Sequence, residues 1–121
     1  MATVLITDDA SLIRAQLRDI ITDLGHEVVG EAVDGRDAIE KNEQLDPDVI
    51  MMDITMPNLS GTEAVREIRK RDPNVKIIMC SAMGQQRLVV DAIEAGAQDF
   101  IVKPFTPERV KQAFLYILSN V

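Results

Sequence analysis

The chain has 121 residues and a mass of 13.4 kDa, which is the size of one ordinary domain. Its 20 acidic residues outnumber its 13 Lys and Arg, and the net charge of -7 argues against direct nucleic-acid binding through bulk charge. No apolar run is long enough to span a bilayer, and 46% hydrophobic with 27% charged residues is typical of a folded domain. The one cysteine, Cys80, cannot form an internal disulfide, and no targeting pattern is present at the start. We therefore expect a cytoplasmic protein with one domain over residues 1–121.

Short apolar runs alternate with amphipathic stretches along the chain. The apolar runs predict strands at residues 4–6, 28–29, 49–52, 75–80 and 100–102. Continuous runs rich in β-branched residues are typical of parallel strands buried on both faces. Apolar residues recur at helical spacing after each strand, and the first four of these helices are predicted to end at Gly25, Pro47, Pro73 and Gly96. Pro107 suits the first turn of the fifth helix.

The alternation repeats every ~20–27 residues, as βα units do. It predicts an α/β fold of the (βα)5 type, in which helices cover both faces of a doubly wound parallel five-stranded sheet. We expect the strand order 2-1-3-4-5, which makes a flavodoxin-like three-layer sandwich.

Ligands of open α/β sheets bind beyond the carboxyl ends of the strands. Four of the five predicted strands deliver a polar group to that edge, namely Asp8-Asp9, Asp53, Ser81 and Lys103. In the expected strand order, strands one and three are neighbours, so that Asp8, Asp9 and Asp53 converge. Three carboxylates this close raise one another's pKa. A hard divalent cation removes the repulsion, so we expect Mg2+ here, with Mn2+ as a possible substitute.

The remaining polar groups at this edge suit a phosphoryl ligand. Lys103 can pair with phosphate charge, and the Ser81 hydroxyl can donate to a phosphoryl oxygen. Together with the metal site they predict phosphoryl transfer, in which Asp53 is the carboxylate nucleophile and forms an acyl phosphate.

Each of these residues also has a purely structural interpretation. Asp8 and Asp9 are candidates to cap the first helix, and Ser81 is a candidate to cap the fourth. Lys103 alone would be an ordinary solvated lysine. Asp53 is harder to explain in this way, because an acid that ends a four-residue apolar run needs a partner. The functional interpretation depends on all five occurring together at one edge.

The whole chain resembles the receiver domain of two-component response regulators. The motifs that carry this resemblance are highly specific: Asp8-Asp9, Asp53 with Pro57 and Gly61 behind it, Ser81-Ala82, and Lys103-Pro104. The resemblance implies that Asp53 accepts a phosphoryl group from a phosphohistidine on a histidine kinase. It also implies that Asp9, Asp53 and the backbone carbonyl of Thr55 ligate Mg2+, and that Asp8 reaches the ion through water.

The resemblance further implies a switch and a means of tuning it. Ser81 moves toward the phosphoryl group, Phe100 then turns inward, and the Lys103-Pro104 peptide bond is cis. Many family members carry Tyr where Phe100 stands, and the alternative is that Phe100 is simply a core residue. Thr55 and Met83 tune the phosphoryl lifetime, and neither is an acid or amide that could orient water. We therefore expect slow spontaneous dephosphorylation and a separate chemotaxis-type phosphatase.

Residues 52–57 and 80–86 look like the single-domain chemotaxis regulators of this family. In those proteins the phosphorylated face of the fourth helix, fifth strand and fifth helix binds the flagellar motor switch protein. The corresponding residues here are Gln86, Arg87, Val90, Phe100, Arg109, Lys111 and Gln112. Their basic charge would suit an acidic partner, whereas the alternative is an ordinary solvated face. We expect a monomer that catalyses only its own phosphoryl transfer and hydrolysis and is otherwise not an enzyme.

Other interpretations stay open. The chain could be a phosphorelay intermediate or a receiver domain excised from a longer response regulator. A flavodoxin-like binding protein would need a phosphate-cradling loop where Asp8-Asp9 stand, and an aspartyl-phosphate phosphatase would need a second acid at Thr55. His26 follows a turn glycine and is a poor candidate for phosphotransfer. Cys80 lies within a predicted buried strand, so we expect an inert core thiol.

Overall fold

Five strands and five helices alternate along residues 1–119, the part of the chain that the computed structural model describes. The strands are β1 (Thr3–Thr7), β2 (Glu27–Ala32), β3 (Val49–Asp53), β4 (Lys76–Ser81) and β5 (Asp99–Val102). The helices are α1 (Ser11–Asp23), α2 (Gly35–Leu45), α3 (Gly61–Arg71), α4 (Gln86–Ala95) and α5 (Pro107–Ser119). Among these residues, no helix combines the length and apolarity that a bilayer crossing needs.

All neighbouring strands pair in parallel, in the order β2-β1-β3-β4-β5. The predicted fold class and strand order are confirmed. β1 and β3 are neighbours although α1, β2 and α2 separate them in the chain, so the sheet has its switch point there. Every residue of β3 is buried, which explains its continuous apolar sequence.

Apolar side chains alternate between the two faces of the sheet and form one core on each. Leu5 and Ile50 belong to the core beneath α2, α3 and α4. Val4 and Met51 belong to the other core, together with Phe114 of α5. This alternation is the period of two that strand geometry imposes. Packing on both faces fixes the strands, and therefore fixes the positions of the side chains at their ends.

Each strand differs from its predicted run by one or more residues at one end or at both. β4 ends at Ser81 rather than at Cys80, because Ser81 still pairs with Val102 of β5. Gly35 is the first residue of α2. The Asp34 side chain caps this helix by accepting a hydrogen bond from the Asp37 N–H at 2.8 Å.

The start of α3 holds the loop that follows Asp53. The Gly61 N–H donates to the Ile54 carbonyl at 2.8 Å. A Cβ at Gly61 would clash with the carbonyl oxygen of Asp53, so only glycine allows this close approach. Ser60 caps the helix by accepting from the Glu63 N–H at 3.3 Å. The helix start and the end of β3 are therefore built as one unit.

Candidate functional site

Three carboxylates meet at the carboxyl edge of β1 and β3. Asp8 and Asp9 follow β1, and Asp53 is the last residue of β3. One oxygen from each of the three lies within 4.8 Å of the others. Asp8 and Asp53 are buried, whereas Asp9 is exposed. The structure thus brings together the three acids that the strand order was expected to bring together, with one side open to solvent.

Lys103 reaches the same cluster from the loop after β5. Its Nζ lies 2.9 Å from Asp8 Oδ2 and 3.3 Å from Asp53 Oδ1. Burial by itself lowers the pKa of Lys103, but the hydrogen bond to Asp8 and the charges of Asp53 and Asp8 outweigh it and raise the pKa. The interpretation of Lys103 as a solvated lysine is therefore wrong. The Lys103-Pro104 peptide bond is cis, the geometry that the family resemblance implied.

The carboxylates still outnumber the cation within the cluster. Burial, followed by the charge of Asp8, raises the pKa of Asp53, and Lys103 only partly opposes both, so that the pKa lies at about 6. A divalent cation would relieve this surplus of negative charge, and carboxylate oxygens are the ligands that Mg2+ prefers. The residues present therefore fit a Mg2+ ion.

Asp8 differs from the other two acids in its hydrogen bonds. Its Oδ1 accepts from the Ala10 N–H at 2.9 Å, and its Oδ2 accepts from Lys103. Both oxygens of Asp8 thus already have a donor within the protein. This division agrees with Asp9 and Asp53 as direct ligands and with Asp8 acting through water.

Arg14 of α1 supports Asp8 from behind, a role that the sequence interpretation missed. Its Nη1 donates to the Asp8 carbonyl oxygen at 2.7 Å, and its Nε donates to Glu31 Oε1 at 2.8 Å. Arg18 lies 2.7 Å from the other oxygen of Glu31. Two arginines one helical turn apart, facing the acid near the end of β2, were the signal that could have identified this support.

The helix-capping interpretations of the site residues are wrong. The N-cap of α1 is Ala10, and no side chain caps that helix. The one main-chain N–H that the Asp8 side chain accepts from is that of Ala10, which precedes the first helical turn, and the exposed Asp9 makes no cap bond. The N-cap of α4 is Gln85, four residues beyond the buried Ser81. Because capping does not explain these residues, their convergence at one edge requires another explanation.

Ser81 lies between the acid cluster and β5. In the strand register, Asp53 pairs with Cys80, and Ser81 pairs with Val102. The Ser81 carbonyl accepts from the Lys103 N–H at 2.7 Å, which ties the two strand ends together. Cys80 is buried, and burial raises the pKa of its thiol to about 12. The prediction of an inert core thiol is confirmed.

Gln85 bridges the two loops beside the site, and the sequence interpretation missed it. Its Oε1 accepts from the Ala82 N–H at 2.7 Å, and its Nε2 donates to Thr55 Oγ1 at 3.0 Å. Thr55 is exposed, as is Met83, whose exposed fraction is 78%. The signal that could have found Gln85 is an amide side chain at the end of the loop that follows Ser81.

The residues predicted for a partner-binding face do lie on α4, β5 and α5. Arg109 is half-buried. The other residues of this face are exposed, namely Gln86, Arg87, Val90, Phe100, Lys111 and Gln112. Phe100 is 37% exposed, so its interpretation as a core residue is wrong. Arg109 Nη2 donates to the Phe100 carbonyl at 2.6 Å, which links α5 to β5. A groove of about 440 Å³ lies beside Phe100 and is lined by the β4–α4 loop, α4 and β5.

Comparison with known proteins agrees with this geometry. The family model of the response regulator receiver domain matches residues 4–115. The chain belongs to the response regulator receiver family. Among curated relatives of this receiver domain, the chemotaxis protein CheY of Thermotoga maritima is 61% identical over 110 residues. That alignment covers 91% of this chain and 92% of the relative.

Solved structures place the receiver domain in two settings. The CheX-CheY-BeF3-Mg complex from Borrelia burgdorferi gives a TM-score of 0.91 at 36% identity, covering 96% of this chain and 88% of that chain. NtrX from Brucella abortus also gives 0.91, at 32% identity, and the match covers 98% of this chain but 27% of that chain. The first is a short regulator of similar length, and the second carries the receiver domain within a much longer chain.

Proposed function

We propose that this receiver domain is a phosphorylation-switched chemotaxis regulator. Asp53 takes a phosphoryl group from the phosphohistidine of a histidine kinase. The face of α4, β5 and α5 then binds the flagellar motor switch protein. The observation that carries this proposal is the buried Asp53, whose pKa is raised to about 6, beside Asp8, Asp9 and Lys103.

The covalent step is a transfer between two nucleophiles. A carboxylate oxygen of Asp53 forms the new bond to phosphorus, and the bond from phosphorus to the histidine nitrogen breaks, so that an acyl phosphate replaces the phosphohistidine. Lys103 and the Ser81 hydroxyl stabilise the phosphoryl oxygens. When bound, Mg2+, for which Mn2+ is a possible substitute, would supply positive charge beside the transferring group. Asp9, Asp53 and the Thr55 carbonyl would hold it.

The switch runs from Ser81 to Phe100. Ser81 ends β4 next to β5, and Phe100 lies on β5 with its ring partly exposed beside an open groove. In the proposal, Ser81 moves toward the phosphoryl group and the Phe100 ring turns into the space that the groove provides. This changes the exposed surface without unfolding any element, because both residues keep their strand pairing.

The proposal includes slow loss of the phosphoryl group. Thr55 and Met83 flank the site, and neither supplies an acid or amide to orient water. A separate chemotaxis-type phosphatase would then end the signal. Timing the decay of phosphorylated Asp53 in the purified protein tests this point, and a half-life of only a few seconds would contradict it.

The proposed function is tested by titrating the N-terminal segment of a flagellar motor switch protein from the same source. The titration uses Mg2+ with and without beryllofluoride as a mimic of the phosphoryl group, and Asp53→Asn as the control. Tighter binding of the wild type only with the mimic would support the proposal. Unchanged binding, with the mimic shown by spectroscopy to be bound, would exclude the motor output and leave the chemistry of Asp53 standing.

A second candidate is a phosphorelay intermediate or a receiver domain from a longer regulator, which the match to about a quarter of the NtrX chain favours. The same titration separates the two, since such a receiver would bind beryllofluoride and ignore the motor segment. In either case we propose that residues 1–121 act as a single domain, monomeric and cytoplasmic. We also propose that it has no nucleic-acid or membrane partner and no enzymatic substrate other than its own phosphoryl group.

A further inference from the structure

Gln85 spans the two loops that border the proposed phosphoryl acceptor. The parallel register pairs Asp53 with Cys80, so Thr55 and Ala82, each two residues further along, face each other across the mouth of the site. The Gln85 carboxamide joins them, through 2.7 Å from the Ala82 N–H to Oε1 and 3.0 Å from Nε2 to Thr55 Oγ1. A neutral amide side chain thus forms hydrogen bonds with one polar group of each loop, the Ala82 N–H and the Thr55 hydroxyl.

The Ala82 N–H is the first main-chain donor after Ser81. Hydrogen bonds from N–H groups to an anionic oxygen are about twice as strong as those to a neutral acceptor. The Ile54 N–H donates to the Cys80 carbonyl at 3.1 Å, so the chain just beyond Asp53 lies against the chain just before Ala82. For the Ala82 N–H, an oxygen of a phosphoryl group on Asp53 would be a stronger acceptor than the carboxamide of Gln85.

We propose that Gln85 is a positioning residue that competes with the phosphoryl group for the Ala82 N–H. The inference rests on the proposed role of Asp53 and adds a residue that restrains the unphosphorylated state. When Asp53 carries the phosphoryl group, the carboxamide leaves Ala82 and releases Thr55.

The location of Gln85 connects this release to the partner-binding face. Gln85 is the N-cap residue of α4, and its carbonyl accepts from the Val89 N–H at 3.0 Å. It follows Gly84, whose φ of +86 lies in the left-handed region and whose surroundings are open. Movement of Gln85 would therefore shift the first turn of α4, while Gly84 accommodates the change in the loop.

The test measures the affinity for beryllofluoride in saturating Mg2+, read from the free and bound backbone amide signals by NMR. Gln85→Ala removes the competitor, so we expect binding roughly three- to tenfold tighter than in the wild type. Gln85→Glu strengthens the bond to Ala82 and adds negative charge, so weaker binding is expected. Thr55→Val keeps its main-chain carbonyl but removes one anchor of Gln85, and a smaller gain is expected.

The matched control is Gln44→Ala, the same change at an exposed position on α2, for which we expect wild-type affinity. In the absence of the mimic, the Ala82 amide signal should shift in Gln85→Ala, because its acceptor is lost. Equal or weaker beryllofluoride binding by Gln85→Ala would overturn the inference and leave Gln85 as a loop support. Failure of the wild type itself to bind beryllofluoride, or binding by Asp53→Asn, would instead overturn the proposed function.

Discussion

The carboxylates at the two ends of the sheet differ in how far their charge is matched by hydrogen-bond donors and cations. At the carboxyl end, three carboxylates share one lysine, and burial with neighbouring charge raises the pKa of Asp53 to about 6. At the amino end, two acids accept hydrogen bonds from main-chain N–H groups. Asp48 Oδ2 accepts from the Thr3 N–H at 2.9 Å, and Asp72 Oδ1 accepts from the Asn74 N–H at 3.1 Å.

Arg69 and His26 complete the amino end. Arg69 of α3 donates to the Val75 carbonyl at 2.7 Å and to the Gly96 carbonyl at 2.8 Å. His26 Nδ1 accepts from the Ala2 N–H at 3.0 Å, and its ring stacks on Phe114 with centroids 5.0 Å apart.

This difference suggests that the amino end of the sheet mainly provides stability and that the carboxyl end mainly provides function. Hydrogen bonds at the amino end anchor the strands, and the carboxyl end keeps a surplus of negative charge that a divalent metal ion can relieve. Substitutions at the carboxyl end should therefore remove activity with little loss of stability, and substitutions at the amino end should do the reverse.

Asp53→Asn should give the largest functional effect. We expect phosphoryl acceptance to be lost completely, because the nucleophile is gone. In the metal-free protein, the free energy of unfolding at neutral pH should rise by about 1–2 kcal/mol, since a buried carboxylate with a raised pKa is removed. Labelling by a small phosphodonor and urea denaturation measure the two effects, with Asp19→Asn on the exposed side of α1 as the control. Labelling that persists on another residue would defeat the assignment.

Lys103→Ala should disconnect phosphorylation from the partner-binding face. The three carboxylates remain, so Mg2+ binding should be largely retained, whereas the phosphoryl oxygens lose their cationic contact. We expect the gain in partner affinity produced by beryllofluoride to fall by about tenfold. Calorimetric titration measures it, and Lys70→Ala on the exposed side of α3 is the control. A variant that keeps the full gain would refute the coupling role of Lys103.

Arg69→Ala tests the amino end. It leaves the carbonyls of Val75 and Gly96 without their donor, so the free energy of unfolding should fall by about 2–4 kcal/mol. Phosphorylation of the folded variant should be unchanged. Arg66→Ala, an exposed arginine on the same helix, should cost much less in urea denaturation. A loss of phosphorylation at normal stability would contradict the division between the two ends.

His26 should give the smallest effect, visible as a pH dependence. Burial, followed by the nearby N-terminal ammonium, lowers the pKa of His26 below 6.5. The unfolded chain therefore binds the proton more readily, so stability contributed by neutral His26 is complete above pH 6.5 and is lost as the pH falls through the folded pKa. Urea denaturation between about pH 5 and about pH 8 should show a smaller decline for His26→Asn. An identical decline in both proteins would exclude this source.

The sequence could predict the positions of the site residues, because these positions depend only on the βα period and the strand order. The residues are Asp8, Asp9, Asp53, Ser81 and Lys103. The βα period identifies which residues end the strands, and the strand order decides which ends are neighbours. Neither property requires knowledge of a loop. The same reasoning accounts for the success of the fold class.

Arg14, Arg69 and Gln85 could not be found in this way. Each acts through a long side chain that reaches a group in another loop or element, and the contact depends on loop geometry. Gln85, which bonds to Thr55, directly follows Gly84, whose positive φ sets the course of the loop. The capping roles considered for Asp8, Asp9 and Ser81 failed for a related reason, since each helix begins later than local sequence preference indicated.

One comparison of amide NMR spectra tests the division of the sheet most directly, using wild type and Asp53→Asn in Mg2+ with and without beryllofluoride. In the wild type, we predict that the mimic shifts the amides of Asp9, Ala82 and Phe100 and leaves those of Thr3 and Asp48 in place. Asp53→Asn should show none of these shifts. Equal shifts at Thr3 and Asp48, or the same spectrum change in Asp53→Asn, would contradict the claim that the carboxyl end carries the switch through Asp53.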